Sequence, residues 1–278
     1  MAYFIPAPTA FPTVPDYSSP AAVMGYNLTI ASTTTFTLSA GYARALCNGF
    51  GIAYPGNVAG LPSSLTVDIT DLGANGCYPV LISDIVTSDF TVYGVYVIGD
   101  SSGANTTAAV VATGNNFLPD GYDVFRRVGL VYIDDTTDTL ISWSQSGNGN
   151  DKTYVLADPY VALSAGAATT FTAINLTSTD APIMPDANVE VLLNVSITPN
   201  AADGYVCVEP GLLTAASVSP AQIFGSVAAK KNSATVSMTA MPNATTGVAN
   251  IKYLVDNAGS ASTINVIGFT DSLGASLF

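Results

Sequence analysis

Apolar positions in this chain recur with a period near two, in short runs separated by glycine, asparagine, serine and proline. Such a period puts alternate side chains on opposite faces of an extended strand. In the first half it predicts strands at Tyr26–Ile30, Thr35–Leu38, Gly49–Tyr54, Ser64–Thr70, Thr91–Ile98, Ala108–Ala112, Val124–Ile133, Thr139–Ser144 and Thr153–Ala157. In the second half it predicts Tyr160–Leu163, Thr169–Leu176, Val189–Ile197, Gly204–Val208, Ala234–Met238, Ile251–Asp256 and Ser262–Thr270. The alternation is cleanest in Val189–Ile197, where Val189, Val191, Leu193, Val195 and Ile197 share a face. Glu190, Leu192, Asn194 and Ser196 share the other, polar but for the leucine, as in a half-buried antiparallel strand. Gly41–Cys47 departs from the pattern and reads as one or two helical turns.

Strands at this spacing, with no long segment of period 3.6, predict an all-β fold. The expected architecture is two jelly-roll-like antiparallel β-sandwiches preceded by an extended N-terminal arm. Asp158-Pro159 is the expected internal boundary, because Asp-Pro favours a turn and the pattern restarts after it. The divisions are an arm over 1–24, a sandwich with an oligomerisation role over 25–159, and a second, distal sandwich over 160–278.

The arm holds five prolines within residues 1–20, which disfavour helix and central strand. It also carries Tyr3, Phe4, Ile5, Phe11, Val14 and Tyr17, where a plain linker would be polar. Apolar anchors on a stiff segment suit docking onto another subunit, since little entropy remains to be lost. Tyr3, Phe4, Ile5 and Phe11 are the anchors expected to matter most. The same region does not read as a signal peptide, having no basic n-region and prolines through every apolar run.

Asn116–Asp135 organises the middle of the chain. Leu118-Pro119-Asp120-Gly121 is turn chemistry, with glycine free to take a positive φ. Val124–Ile133 follows as a strand holding two of the seven basic residues, Arg126 and Arg127, side by side. Strict alternation puts Arg126 with Val124, Val128, Leu130 and Tyr132, and Arg127 with Phe125, Val131 and Ile133. Both faces are apolar, so at least one guanidinium is expected under cover, held by carboxylate or carbonyl groups. The other is expected to reach water, as long charged side chains usually do.

This stretch also resembles segments of structural proteins of tailed bacteriophages. The residues that carry the likeness are Tyr93-Gly94-Val95-Tyr96-Val97-Ile98-Gly99-Asp100, the small-residue strand Thr107–Thr113, and Leu118–Gly129 with its Leu-Pro-x-Gly-Tyr and Phe-Arg-Arg-Val-Gly. They span roughly the middle third of the chain. The resemblance implies a β-rich virion component such as a head fibre, a decoration protein or a tail appendage, and implies no catalytic site.

Composition narrows the picture. The chain has 278 residues, 49% hydrophobic and only 10% charged, against about 25% charged in an average protein. Its surface must therefore be largely Ser, Thr, Asn and Gly, or be covered by other subunits. A net charge of −13 argues against nucleic acid, whose phosphates call for Lys/Arg clusters. No apolar run approaches a membrane span of ~20 residues. The absence of histidine removes Ser-His-Asp and Cys-His catalysis, and no nucleophile elbow or phosphate loop is present. Among 18 Asp and two Glu, no carboxylate pair stands out for glycoside hydrolysis. Three cysteines without histidine do not make a zinc site; Cys207 reads as a buried thiol, and whether Cys47 and Cys77 pair is open. Asp134-Asp135-Thr136-Thr137-Asp138 has the oxygen spacing of a calcium loop, but a strand-ending hairpin is the preferred reading. The aromatics Tyr93, Tyr96, Phe125, Tyr132, Trp143 and Tyr154 read as core rather than as a sugar-binding surface.

The function expected is that of a non-enzymatic virion structural protein, a homo-oligomer expected as a trimer, joined to other virion proteins through residues 1–20. No cofactor or metal is expected. A receptor- or carbohydrate-binding adhesin is the alternative.

Overall fold

The computed structural model describes residues 23–47, 53–61, 63–85, 90–100, 105–113, 118–134, 136–147, 151–176, 189–211, 221–225, 227–242 and 249–272. The arm, with Tyr3, Phe4, Ile5 and Phe11, lies outside the described residues. The protein is all-β, built almost wholly from antiparallel sheets. It divides into two compact units: one takes in the described residues up to Thr153 together with Ser272, the other Tyr154–Asp271.

In the first unit the strands are β1 (Val23–Gly25), β2 (Leu28–Ile30), β3 (Thr35–Leu38), β4 (Gly41–Cys47), β5 (Ala53–Leu61), β6 (Leu65–Asp68), β7 (Cys77–Tyr78), β8 (Phe90–Gly99), β9 (Ala108–Ala112), β10 (Val124–Asp134), β11 (Thr139–Leu140) and β12 (Trp143–Ser146). The main sheet runs β1-β4-β10-β8-β9-β7, with β5 on β4 and β11 on β10. A small sheet, β2-β3-β6, packs through β6 against β9. The β7–β9 pair is parallel. Burial is deepest along β8, β9 and β10, where Val95, Val97, Ile98, Val110, Val111, Val128, Val131, Tyr132 and Ile133 are closed to solvent. Each such side chain contributes roughly 1.5–3 kcal/mol.

Gly41–Cys47 is a strand, not helical turns. Ala, Arg and Leu favour helix locally, but β1, β5 and β10 all pair with this segment, and tertiary pairing overrides a weak propensity. Gly25 and Tyr26 take positive φ, at 74° and 55°, and turn the chain out of β1 into β2. The Tyr26 ring is buried, and burial pushes its phenol pKa upward against a bond with the Leu61 backbone.

The second unit holds most of β13 (Asp151–Gly166), then β14 (Thr172–Asn175), β15 (Val189–Thr198), β16 (Gly204–Pro210), β17 (Ala221–Gly225), β18 (Asn232–Pro242), β19 (Ala249–Val255) and β20 (Ala261–Ser272). Their order is β13-β20-β15-β18-β19-β16-β17, with β14 on β19. β18 pairs with β15 over Asn232–Ala240 and then with β19 at Met241 and Pro242, so one strand passes from one half of the sheet to the other. This lets β15 and β18 pack against β16 and β17 in sandwich fashion. Val191, Leu193, Val195 and Ile197 fill the space between them together with Val206, Val208, Ile251 and Val255. On the outward row of β18, Ser233, Thr235, Ser237 and Thr239 are all exposed, the uncharged polar surface that the composition demanded. Ser237 bonds there with the Glu190 carboxylate.

Asp158-Pro159 lies inside β13 and makes no turn. Outside β13 the sheet order has only the four-residue β12, too short to pair with all sixteen residues of β13, and a proline is tolerated where a strand lacks an outer neighbour. Inside the unit, Tyr154 stacks on Phe269 with ring centroids 5.0 Å apart and planes 9° from parallel. The backbone approach beside this stack is tight: a Cβ on Gly268 would sit 2.1 Å from the Tyr154 carbonyl oxygen.

Candidate functional site

Arg126 and Arg127 sit at the centre of the first unit. β10 lies between β4 and β8, and both its faces are covered, so both arginines are buried, at 1% and 8% exposure. The expectation that one of them is solvated is therefore overturned. A strand covered on both faces leaves no short path by which either stem can carry its head to water.

The pairing also revises which residues share their faces. Arg126 lies opposite Val97 and Arg127 opposite Tyr96, but Gly129 lies opposite Val95, so Val128 is an extra residue in β10. Such a bulge reverses the alternation beyond it. Arg126 thus shares a face with Gly129, Val131 and Ile133, and Arg127 with Leu130 and Tyr132. Burial lowers the pKa of Arg126 from its ordinary value, and the charge of Arg127 lowers it further.

The turn ahead of β10 forms as its residues require, one position later than expected. Tyr122 N donates to Pro119 O at 3.1 Å, and Gly121 takes φ 88°. Asn105 Nδ2 donates to Gly121 O at 2.8 Å, which ties this turn to the segment before β9. Beside it Ile98, Ala108, Val110 and Leu118 form a cluster flanked by Tyr78, Tyr96, Tyr122 and Phe125. Tyr96 meets Phe125 edge-on, with centroids 6.0 Å apart. Tyr93, Tyr132, Trp143 and Tyr154 are buried as well, so these aromatics belong to the cores.

Asp134 and Thr136–Asp138 belong to a hairpin joining β10 to β11, while Asp135 lies outside the described residues. Asp134 Oδ1 accepts from Thr136 N at 2.9 Å, its carbonyl accepts from Thr137 N at 3.2 Å, and Asp138 takes φ 53°. The Asp134 carboxylate is thereby committed to the turn. Among the described residues no group of three or more Cys, Asp or Glu gathers as a metal site. Cys77 and Cys207 are buried thiols and neither is in a disulfide, so Cys77 makes no bridge with Cys47. The Cys77 Sγ donates to Ile69 O at 3.3 Å, and burial pushes its pKa up to about 12.

A polar node that the sequence reading passed over lies at Lys152. Lys152 is in phase with Tyr154 and Leu156 in β13, and all three are buried. Its Nζ, closed to solvent, donates to Gly25 O at 2.8 Å and to Asn27 Oδ1 at 2.9 Å. Burial lowers its pKa to about 8. The phase of Lys152 with two large apolar residues was the available signal. Its acceptors, more than a hundred positions away in sequence, left none.

No protein-family model and no curated protein matches the chain. Among solved structures it is similar to a chain in the "Structure of infectious bursal disease virus Gx strain", at 14% identity and a TM-score of 0.24, over 94% of this chain and 69% of that one.

Proposed function

We propose that this protein is a non-enzymatic structural component of a virion, of the kind built into tailed bacteriophages, and that it works as a homo-oligomer. A head fibre or decoration protein is the first form of this reading, and a tail appendage the second. The observation that carries it is an apolar row on β13, whose outer neighbour in the sheet order, β12, has only four residues against its sixteen. Val155, Ala157, Pro159, Val161 and Leu163 alternate along β13 on one face, and the first four are exposed. Val161 is 51% exposed and Val155 39%. Apolar side chains grouped on a surface mark sites of association, and a strand that lacks an outer neighbour along part of its length adds unpaired backbone groups to them. A second copy of the chain is the occupant proposed, because a protein with 10% charged residues keeps too few charges to hold such a row in water as a monomer. The resemblance of Tyr93–Asp100 and Leu118–Gly129 to phage structural proteins gives the setting, and residues 1–20 are the proposed link to other virion proteins.

Sedimentation of the purified chain tests the oligomer. One stable assembly of several copies, a trimer in the simplest case, is the expected result, and a monomer at all concentrations sinks it. Deleting residues 1–20 is expected to leave a folded oligomer that no longer joins particles. Incorporation of the truncated chain at full occupancy would place the anchor elsewhere.

A further inference from the structure

We propose that Lys152 and Asn27 join in an intramolecular isopeptide bond, a covalent clasp between β13 and the segment linking β1 to β2. The geometry is that of two reactants held together. Nζ lies 2.9 Å from Oδ1 of Asn27, and Cγ, the electrophilic carbon, is one bond beyond that oxygen. Gly25 O, at 2.8 Å, fixes the amine from a second direction. The hydrogen bond sets the amine beside the carboxamide, and a turn about the Lys152 Cε–Nζ bond exchanges its N–H for the lone pair, the orientation from which an intramolecular reaction gains its advantage.

The hydrogen-bond count favours the reactive form of the amine. An ammonium has three N–H donors and a neutral amine two. Lys152 has two acceptors, both uncharged, and among the described residues no carboxylate pairs with it. The neutral amine is satisfied by these two and keeps a lone pair, whereas the ammonium would carry a charge out of water without a counter-ion. Burial acts in the same sense, bringing the pKa down to about 8, so a useful fraction is neutral near physiological pH.

The step balances. The Nζ lone pair attacks Cγ of Asn27, and the carbonyl π electrons move onto Oδ1. The tetrahedral adduct collapses, the carbonyl re-forms, and the Cγ–Nδ2 bond breaks. A proton from Nζ passes to Nδ2, which leaves as ammonia. Nothing is oxidised or reduced, and no co-reactant is consumed. The two ends of the site differ in a useful way: Lys152 is closed to solvent, while Asn27 is exposed. Water at the carboxamide can relay the proton and carry the ammonia away, while the amine stays desolvated. The product closes a loop between positions 27 and 152, which restricts the unfolded chain as a disulfide does. It needs no oxidising compartment.

The mass of the purified full-length chain, measured under denaturing conditions, tests this without any variant having to fold. The expected mass is one ammonia below that of the sequence, with a branched peptide joining the segments that contain Asn27 and Lys152. Asn27→Ala and Lys152→Arg are expected at their full sequence mass. The proposal is overturned if the wild-type chain keeps its full mass after prolonged incubation above the Lys152 pKa. It is equally overturned if the ammonia loss maps to any other residue. Neither outcome touches the oligomer reading, which rests on β13 and its exposed valines.

Discussion

Arg126 and Arg127 are neighbours in β10, face opposite sides of the sheet, and are both buried. Two guanidinium charges thus lie one residue apart inside the first unit, and the second makes the first harder to keep protonated. Burying a charge is costly, and removing it also leaves whatever groups it held without their partner, whichever residue takes its place. The long stem of an arginine is also a packing element in its own right.

Arg126→Met should therefore destabilise the protein less than Arg126→Ala. The alanine variant loses both charge and volume, and is expected to cost about 2–5 kcal/mol, as large-to-small changes in cores do. The methionine variant fills the site without a buried charge. Chemical denaturation of the two variants checks this. A methionine variant as unstable as the alanine one would show that the charge, rather than the volume, is what the core needs.

How far this site could be read from sequence depends on the phase of β10. The strand itself was legible, because Val124–Ile133 is rich in β-branched and aromatic residues, and the structure extends it only to Asp134. The face of each arginine was not read, because strict alternation was carried through the bulge at Val128, although Gly129, an isolated glycine inside the strand, was the available signal for it. Gly41–Cys47 failed for a different reason. Its composition suits a helix, and the strand exists only because other strands, remote in sequence, pair with it. Asp158-Pro159 misled because the turn preference of Asp-Pro is a local one, and the extended pairing of β13 on either side of it prevails. Val189–Ile197 and Thr35–Leu38 were legible because local alternation and tertiary burial agree there.

Lys152 gives a pH dependence of definite sign wherever it remains an amine, as in Asn27→Ser. Its folded pKa, about 8, lies below the unfolded value of about 10.4. Between these values the unfolded chain binds more protons, so stability rises with pH. The gain should begin near pH 8, be complete above the unfolded pKa, and reach roughly 3 kcal/mol at most. Denaturant midpoints across that range measure it. A chain already clasped at Lys152 should lack the step, since an amide does not titrate there.

Gly268 is expected to tolerate no side chain. Its Cβ would meet the Tyr154 carbonyl oxygen at 2.1 Å, a backbone atom that cannot rotate away. Gly268→Ala must push β13 from β20 or distort β20, at a cost of about 1–3 kcal/mol for overpacking. Thermal melting of the variant reads the loss. An unchanged melting temperature would mean that the two strands are free to separate locally without cost.

Val161 offers the sharpest test of the assembly reading, because fold and association respond to it differently. It is 51% exposed on β13, in the same row as Val155 and Pro159, so an aspartate there meets water in an isolated chain. Exposed substitutions usually change folding stability by no more than about 0.5 kcal/mol. At an interface the same aspartate would be buried, without a partner and near its own symmetry copies. An unpaired charge in a desolvated contact costs several kcal/mol. Val161→Asp is thus expected to melt like the parent chain and yet sediment as a smaller species, with Val155→Asp adding to the effect. The parent is itself the control, since its assembly must be seen first. If Val161→Asp keeps the parent's oligomeric state, the row on β13 is surface, and the contacts between copies lie on other strands.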